Sequence, residues 1–319
     1  MKPVEAPGIE TIRAARRRIS GLAVRTPIVP LNAAPSGSKI YLKLENLQPI
    51  GSFKIRGAGN AMLSAGVERL EKGVYTASAG NMAQGVAWVA REMGVPCRFV
   101  VPDHAPQTKL AAIERLGGIV TKVPFDDWWR VIIEHEYPGM DGVFIHPVSN
   151  PAVVAGNGTI GIEIFEQLHD VDAVLVPYGG GGLSSGIAAA LKALKPDVKV
   201  YGCEVETATP LAASLAAGSP QTVSYTPSFV DGIGAKSVLD EMWPMVRGLL
   251  DGSVVVSLDE VKRAVKQLAD QSRVIAEGAG AVAVAAALSR GVSGEKIVCV
   301  VSGGNIDFHK LVEILSETR

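Results

Sequence analysis

The stretch AVLVPYGGGGLSSGIAAALKAL, residues 173–194, starts as an apolar run, breaks into four consecutive glycines and resumes as alanines and leucines at helical spacing. The apolar run bounded by glycine predicts a buried strand, and the segment from Leu183 onward predicts a helix. The tetraglycine would then lie where a strand hands over to a helix. Residues 173–191 are uncharged for 19 positions, enough for a membrane span, but a proline and five glycines interrupt them. A strand, a loop and a helix suit that pattern better.

The same alternation runs through the chain. Strands are expected at 39–45, 74–78, 97–102, 118–124, 142–147, 173–178, 198–204 and 296–302, with helical patterns between them at 108–116, 188–194 and 258–273. Alternating strands and helices predict an α/β fold with open parallel sheets. The run ARRRI near residue 16 reads as the solvated face of a first helix. At 319 residues two domains are expected, a larger one from 1–74 plus 150–319 and a smaller one, 75–149, inserted in it.

Composition narrows the class of function. A net charge of -1 suggests neither nucleic acid nor an anionic membrane surface as a partner. Cys97, Cys203 and Cys299 lie far apart in apolar runs and read as buried free thiols of a cytoplasmic protein. The amino-terminal MKPVEAPGIE carries acids where a signal peptide needs an apolar core.

Three loops follow predicted strands with glycine and small polar residues: TASAGNMAQG, VPYGGGGLSSG and VVSGGN. Ligands of open parallel sheets bind at the carboxyl ends of strands, so chemistry should collect at these turns. Gly179, Gly180, Gly181 and Gly182 allow backbone N–H groups to converge at the positive end of the following helix, which makes a phosphate cradle. A Walker loop would require Lys-Ser/Thr after Gly186, where Ile187 stands, and the dinucleotide fingerprint requires another spacing. The string Gly182-Leu-Ser184-Ser-Gly186 matches a hydrolase nucleophile elbow, but only His309 follows it and the preceding glycines then serve no purpose. A plain tight turn is the remaining alternative. Within GSFKIRGAGN, residues 51–60, Lys54 stands between Phe53 and Ile55. Either its ammonium reaches water, or it is desolvated and forms a Schiff base. A phosphate cradle together with such an amine points to pyridoxal 5'-phosphate, with Phe53 packed on the ring face.

The motifs S-F-K-x-R-G-A, S-A-G-N-x-A-Q-G-V-A, G-G-G-G-L and V-x-S-G-G-N occur here in that order, with A-x-V-A-G-x-G-T-I at 152–160 and E-G-A-G-A at 277–281. Together they resemble the threonine/serine dehydratase and serine racemase family, fold type II pyridoxal-phosphate enzymes, over nearly the whole chain. The resemblance implies two α/β domains with the cofactor in the cleft between them, and a homodimer. It makes Lys54 the Schiff-base lysine and the base at the substrate α-carbon. Gly179–Gly182 and Leu183 would hold the phosphate, Asn81 the ring 3-oxygen and Ser302 the ring nitrogen, while Ser78, Ala79 and Gly80 would form the substrate carboxylate loop. A serine hydroxyl can serve a neutral ring nitrogen, which suits β-elimination of a 3-hydroxy amino acid to a 2-oxo acid and ammonia.

Departures from the family pattern bear on the substrate. Racemases carry a second serine where this chain has Ala79, which cannot carry a proton, so racemisation should be weak. Met82 stands in place of a histidine, and the paired Trp128 and Trp129 stand where small or polar residues are usual. Adjacent tryptophans on a helix cannot both face the core, so one is expected at the cleft, the alternative being that both pack. The cleft reading favours a bulky substrate such as 3-phenylserine, with Arg130 as a carboxylate partner and no further cation for a second carboxylate. Relatives hold a divalent cation after the strand ending here at Glu204. Glu204 and Glu206 remain but the aspartate is lacking, which leaves a weak monovalent or divalent site at Glu204 or two structural glutamates. The chain ends soon after SGGN, so feedback through a carboxyl-terminal effector domain is not expected. A β-replacement synthase and a non-catalytic pyridoxal-phosphate binder are the competing functions.

Overall fold

Ten strands form two sheets in the computed structural model, which describes residues 2–32, 38–289 and 292–317. They are β1 (Ile28–Pro30), β2 (Lys39–Leu44), β3 (Val74–Ala77), β4 (Cys97–Pro102), β5 (Ile119–Val123), β6 (Val143–Phe144), β7 (Ala173–Pro177), β8 (Lys199–Val205), β9 (Gly252–Val256) and β10 (Lys296–Val301). The six-stranded sheet has the order β1-β2-β10-β7-β8-β9, and the four-stranded sheet β5-β4-β3-β6. Every pairing is parallel except β1 with β2.

Parallel strands need both faces covered, and the residues alternate accordingly. Along β10, Ile297, Cys299 and Val301 face a core shared with the helices Leu258–Ser272 and Gly278–Ser289. Val298 and Val300 face the opposite core, under the helices Pro151–Gln167 and Gly182–Leu194. The four-stranded sheet packs one face on the helices Asn81–Met93 and Gln107–Arg115, and the other on Phe125–Glu134. The helix Lys54–Ala65 also lends Ile55, Ala58 and Met62 to the first of these cores, so the four-stranded sheet is packed partly by residues that precede it in the chain. Cys97, Cys203 and Cys299 are buried and unbonded.

Two strands lie outside the sequence expectation, β1 and β9, both at sheet edges. β1 has three residues and ends in proline, which an edge tolerates because no ladder N–H is required there. The strand expected over 142–147 shrinks to Val143–Phe144. Beyond it His146 turns the chain: its Nδ1 accepts from the N–H of Val148 at 3.1 Å and of Ser149 at 2.8 Å.

A buried ionic cluster ties the lysine helix to its surroundings. The Arg56 guanidinium donates to Glu45 Oε2 at 2.7 Å and to Glu163 Oε1 at 2.7 Å, and Lys43 Nζ donates to Glu163 Oε2 at 2.5 Å. All four side chains are shielded from solvent, and two cations balance two anions. Close backbone approach fixes the adjoining helices. A Cβ on Gly158 would lie 2.8 Å from the Gly186 carbonyl, which brings the helices Pro151–Gln167 and Gly182–Leu194 together where no other residue fits.

Candidate active site

β2, β10 and β7 are parallel neighbours, so their carboxyl ends deliver three loops to one side of the sheet. β2 leads through a short 3-10 turn to Ser52, Phe53 and Lys54; β10 ends at Ser302; β7 runs into the tetraglycine. The first two loops are joined, since the Phe53 N–H donates to the Ser302 carbonyl at 3.0 Å and Ser52 bridges Gly303. β3 of the other sheet ends in Ser78–Gly80, ahead of Asn81. These four loops surround a cavity of about 420 Å³, a volume within the range of small-molecule and cofactor sites.

Lys54 opens its helix with its side chain turned into this cavity. Nζ donates to the Pro147 carbonyl at 3.0 Å and lies 5.2 Å from the centre of the Phe53 ring. Burial lowers its pKa to about 8, with the charge of Glu277 pulling the other way. The amine is thus neutral over part of the range in which an ordinary lysine is fully charged.

The glycine loop is shaped by what lies against it. Gly181 has φ +91°, a left-handed conformation open to glycine, and a Cβ on Gly180 would strike Val148 at 2.5 Å. Gly181 makes no side-chain cap to the 13-residue helix that begins at Gly182. Its first-turn N–H groups, at the positive end of the helix dipole, therefore face the cavity end of the loop. Asn157 braces the loop from below, donating through Nδ2 to the Gly182 carbonyl at 3.2 Å.

Residues 19–303 match the family of pyridoxal-phosphate dependent enzymes. The chain belongs to that family. It is similar to an L-threonine ammonia-lyase of Thermotoga maritima, 41% identical over 315 residues that cover 97% of this chain and 78% of the relative. It is similar also to the catabolic L-threonine dehydratase TdcB of Escherichia coli K12, 39% identical over 314 residues, 96% of this chain and 95% of the relative. Among solved structures, maize serine racemase superposes with a TM-score of 0.88 at 35% identity, over 97% of both chains.

The site fits the family's cofactor. A half-buried amine of lowered pKa, an uncapped helix start behind four glycines, and the polar side chains of Asn81 and Ser302 line one cavity. They supply a group to bond an aldehyde, donors for a phosphate and partners for a heteroaromatic ring. Phe53, Ser78, Ala79, Gly80, Met82 and Leu183 line the same cavity. Met82 is 2% exposed and belongs equally to the core beneath the four-stranded sheet.

Trp128 and Trp129 both line the cavity, with ring centres 6.1 Å apart, so adjacency on the helix does not send one of them elsewhere. Both also pack beside Val131 and Ile132, and Ile132 lines the cavity with them. Arg130 is not with them. Its side chain is 61% exposed and pairs with Asp127 at 3.1 Å, one turn back on the same helix, which removes it as a carboxylate partner. The expectation of no further cation also needs correction, because Lys109 lines the wall. Lys109 Nζ is engaged by Asp231 at 2.5 Å.

Glu204 is used differently from a metal ligand. Its carboxylate accepts from Leu211 N at 2.7 Å, Ala212 N at 2.8 Å and Ser253 Oγ at 2.6 Å, which caps the helix Pro210–Ala217. A cation there would have to displace these donors. Glu206 accepts from Leu258 N at 2.8 Å. Ser184, the elbow serine, donates to the Gly181 carbonyl at 3.2 Å, and His309 stands on the helix Phe308–Ser316, outside the cavity lining. The sequence reading gave no role to Asn157, Asp231, Asn305 or Glu277, all of which line the cavity.

Proposed function

We propose that this chain catalyses β-elimination of a 3-hydroxy amino acid, giving a 2-oxo acid and ammonia. The observation that carries the reading is Lys54, a half-buried amine with its pKa lowered to about 8, in one cavity with the tetraglycine and Ser302. The names of the similar proteins, threonine ammonia-lyase and threonine dehydratase, support it.

Pyridoxal phosphate, when bound, supplies an aldehyde for the substrate amine and a conjugated ring that accepts charge from the α-carbon. Lys54 Nζ would hold the aldehyde end of the cofactor and, as a free amine of lowered pKa, would be the base that takes the substrate α-proton. The Gly179–Gly182 loop and the Leu183 N–H would bind the phosphate, Asn81 would serve the ring 3-oxygen, and Ser302 would serve the ring nitrogen as a hydroxyl. Because a hydroxyl does not force a proton onto that nitrogen, charge at the α-carbon is stabilised less, and loss of the β-hydroxyl is favoured over a long-lived carbanion. The Ser78–Gly80 loop holds the substrate carboxylate. The water lost from the β-carbon is returned when the released enamine hydrolyses, so the net products are the 2-oxo acid and ammonia. Residues 75–149 act as an inserted domain forming one wall of the cleft, in a homodimer that works in the cytoplasm.

The substrate side chain is large and apolar. Met82, Trp128, Trp129, Ile132, Pro102 and Ala105 give one wall an apolar surface, and the Lys109 ammonium on that wall is paired with Asp231. Replacing a methyl by a buried ring adds on the order of 1–3 kcal/mol, about tenfold or more in kcat/KM. Serine, threonine, 3-hydroxyaspartate and 3-phenylserine should be compared by the rate of 2-oxo acid formation. Expected is a preference for 3-phenylserine of about tenfold over threonine. Equal or faster turnover of threonine would return the tryptophans to packing, and a 3-hydroxyaspartate preference would assign Lys109 to the substrate.

A further inference from the structure

Glu277 is a half-buried carboxyl in the cavity wall to which the proposed reaction gives no task. It lies just ahead of the helix Gly278–Ser289, held by its own N–H donating to the Gly303 carbonyl at 3.1 Å. Among the described residues, the side-chain hydrogen bond that reaches its carboxyl comes from Asn81 Nδ2, at 2.7 Å from Oε1.

That contact is the last link of a chain whose direction is fixed. Asn305 Nδ2 donates to the Ile50 carbonyl at 2.8 Å, a partner that can only accept, and to Asn81 Oδ1 at 2.8 Å. Both protons of the Asn305 amide are thereby used, so the Asn81 atom facing it must be oxygen. Asn81 then turns its nitrogen to Glu277, one Nδ2 proton goes to the carboxyl, and the second remains for the cavity. Without an acceptor at Glu277 the amide would lose one of the two restraints on its rotation.

We propose that Glu277 is a positioning residue: its carboxyl fixes the Asn81 amide so that the remaining Nδ2 proton is held for the ring 3-oxygen of bound pyridoxal phosphate. The inference rests on the cofactor reading above, and it adds a pH-sensitive charge to the site. Burial raises the Glu277 pKa to about 7, helped by Asp231 and opposed by the Asn81 hydrogen bond and by Lys109 and Lys54. These are the charged groups that face it from the 3-10 turn Asp231–Ile233 and from the helices Gln107–Arg115 and Lys54–Ala65; the β10 side presents only Ser302 and Gly303. Below about pH 7 the neutral carboxyl is the major form. Above it an anion sits beside the amide that serves the ring oxygen, and that charge should be visible in the absorption of the bound cofactor.

The test uses the holoprotein and two variants. Glu277→Gln keeps an acceptor oxygen for Asn81 but cannot ionise; Glu277→Ala keeps neither. Cofactor affinity is read by fluorescence titration of apoprotein with pyridoxal phosphate, and the absorption band of bound cofactor is followed between about pH 6 and about pH 8. Glu277→Ala should weaken cofactor binding about fivefold, Glu277→Gln should restore most of that loss, and the band should titrate in the wild type but not in Glu277→Gln. Wild-type affinity in Glu277→Ala, failure of glutamine to rescue, or an unchanged titration in Glu277→Gln would each overturn the proposal. If these differences appear in a protein that releases no ammonia from any hydroxy amino acid, the positioning role stands and the elimination reading falls.

Discussion

Lys54 loses water on every side except toward the cavity, and the cost of charging it there is what makes the amine reactive. The sign of the effect is testable. A pKa near 8, below the ordinary 10.5, means that the neutral amine becomes the major form above about pH 8. The rate at which apoprotein captures pyridoxal phosphate covalently should therefore rise with pH and level off above about 8, whereas a surface lysine would keep gaining up to about 10. Stopped-flow absorbance from about pH 6 to about pH 10 decides the matter, and a rate that keeps climbing to about pH 10 with no plateau would deny Lys54 its lowered pKa. Ser302 makes a second residue-scale claim. Ser302→Asp should keep the cofactor but lengthen the life of charge at the α-carbon, so that deuterium exchange from solvent into substrate outpaces ammonia release. An unchanged ratio of exchange to release would remove Ser302 from the ring nitrogen. Sequence reading reached Lys54 and Ser302 because their neighbours form contiguous motifs. It passed over the role of Glu277, although the residue lies in the quoted E-G-A-G-A run, because an acid before an apolar helix looks like an ordinary helix-start anion. Its partner Asn81 is 196 residues away in the chain.

The helix Lys54–Ala65 is positioned by the ionic cluster at its start as much as by its apolar face. Arg56 stands two residues after Lys54 and holds both Glu45, just beyond β2, and Glu163, on the helix Pro151–Gln167. Removing one partner leaves an uncompensated buried charge, at a cost of about 3–5 kcal/mol. Glu163→Gln should lower stability by that order in urea unfolding of the apoprotein. It should also raise the concentration of pyridoxal phosphate needed for saturation, since the lysine helix loses its anchor. A change within about 0.5 kcal/mol would show that the cluster contributes little net stability. None of this was legible in the sequence, where Lys43, Glu45, Arg56 and Glu163 look like solvated charges. Most strands were legible because apolar runs bounded by glycine and proline announce buried parallel strands. β1 was missed as a three-residue edge strand and β9 is the edge strand at the other end of the same sheet, and the run 142–147 was overextended because its apolar pattern hides the turn that His146 makes with Val148 and Ser149.

At the scale of the whole molecule the cavity lies between two sheets, and one irregular segment of the larger sheet's side reaches across to the smaller. Asp231 meets Lys109 at 2.5 Å, Lys236 lies 5.3 Å over the Phe125 ring, and Glu241 approaches His135 at 3.4 Å. Asp231 to Gly234 also line the cavity, so the segment that bridges the sheets is itself part of the wall. The two-sheet arrangement was foreseeable from the alternation of strands and helices, but these bridges were not, since each joins residues more than 100 positions apart. The cleft thus sets Lys54, the tetraglycine and Ser302 beside the larger sheet against Asn81, Met82, Trp128 and Trp129 beside the smaller one. The most direct measurement of elimination through Lys54 is the joint release of ammonia and 2-oxo acid from 3-phenylserine, threonine and serine by holoprotein, beside Lys54→Ala loaded with the same cofactor. Expected are equal amounts of the two products from the wild type and none above the rate of free pyridoxal phosphate from Lys54→Ala. Turnover of the variant at the wild-type rate, or a wild type that releases neither product from any of the three, would contradict it.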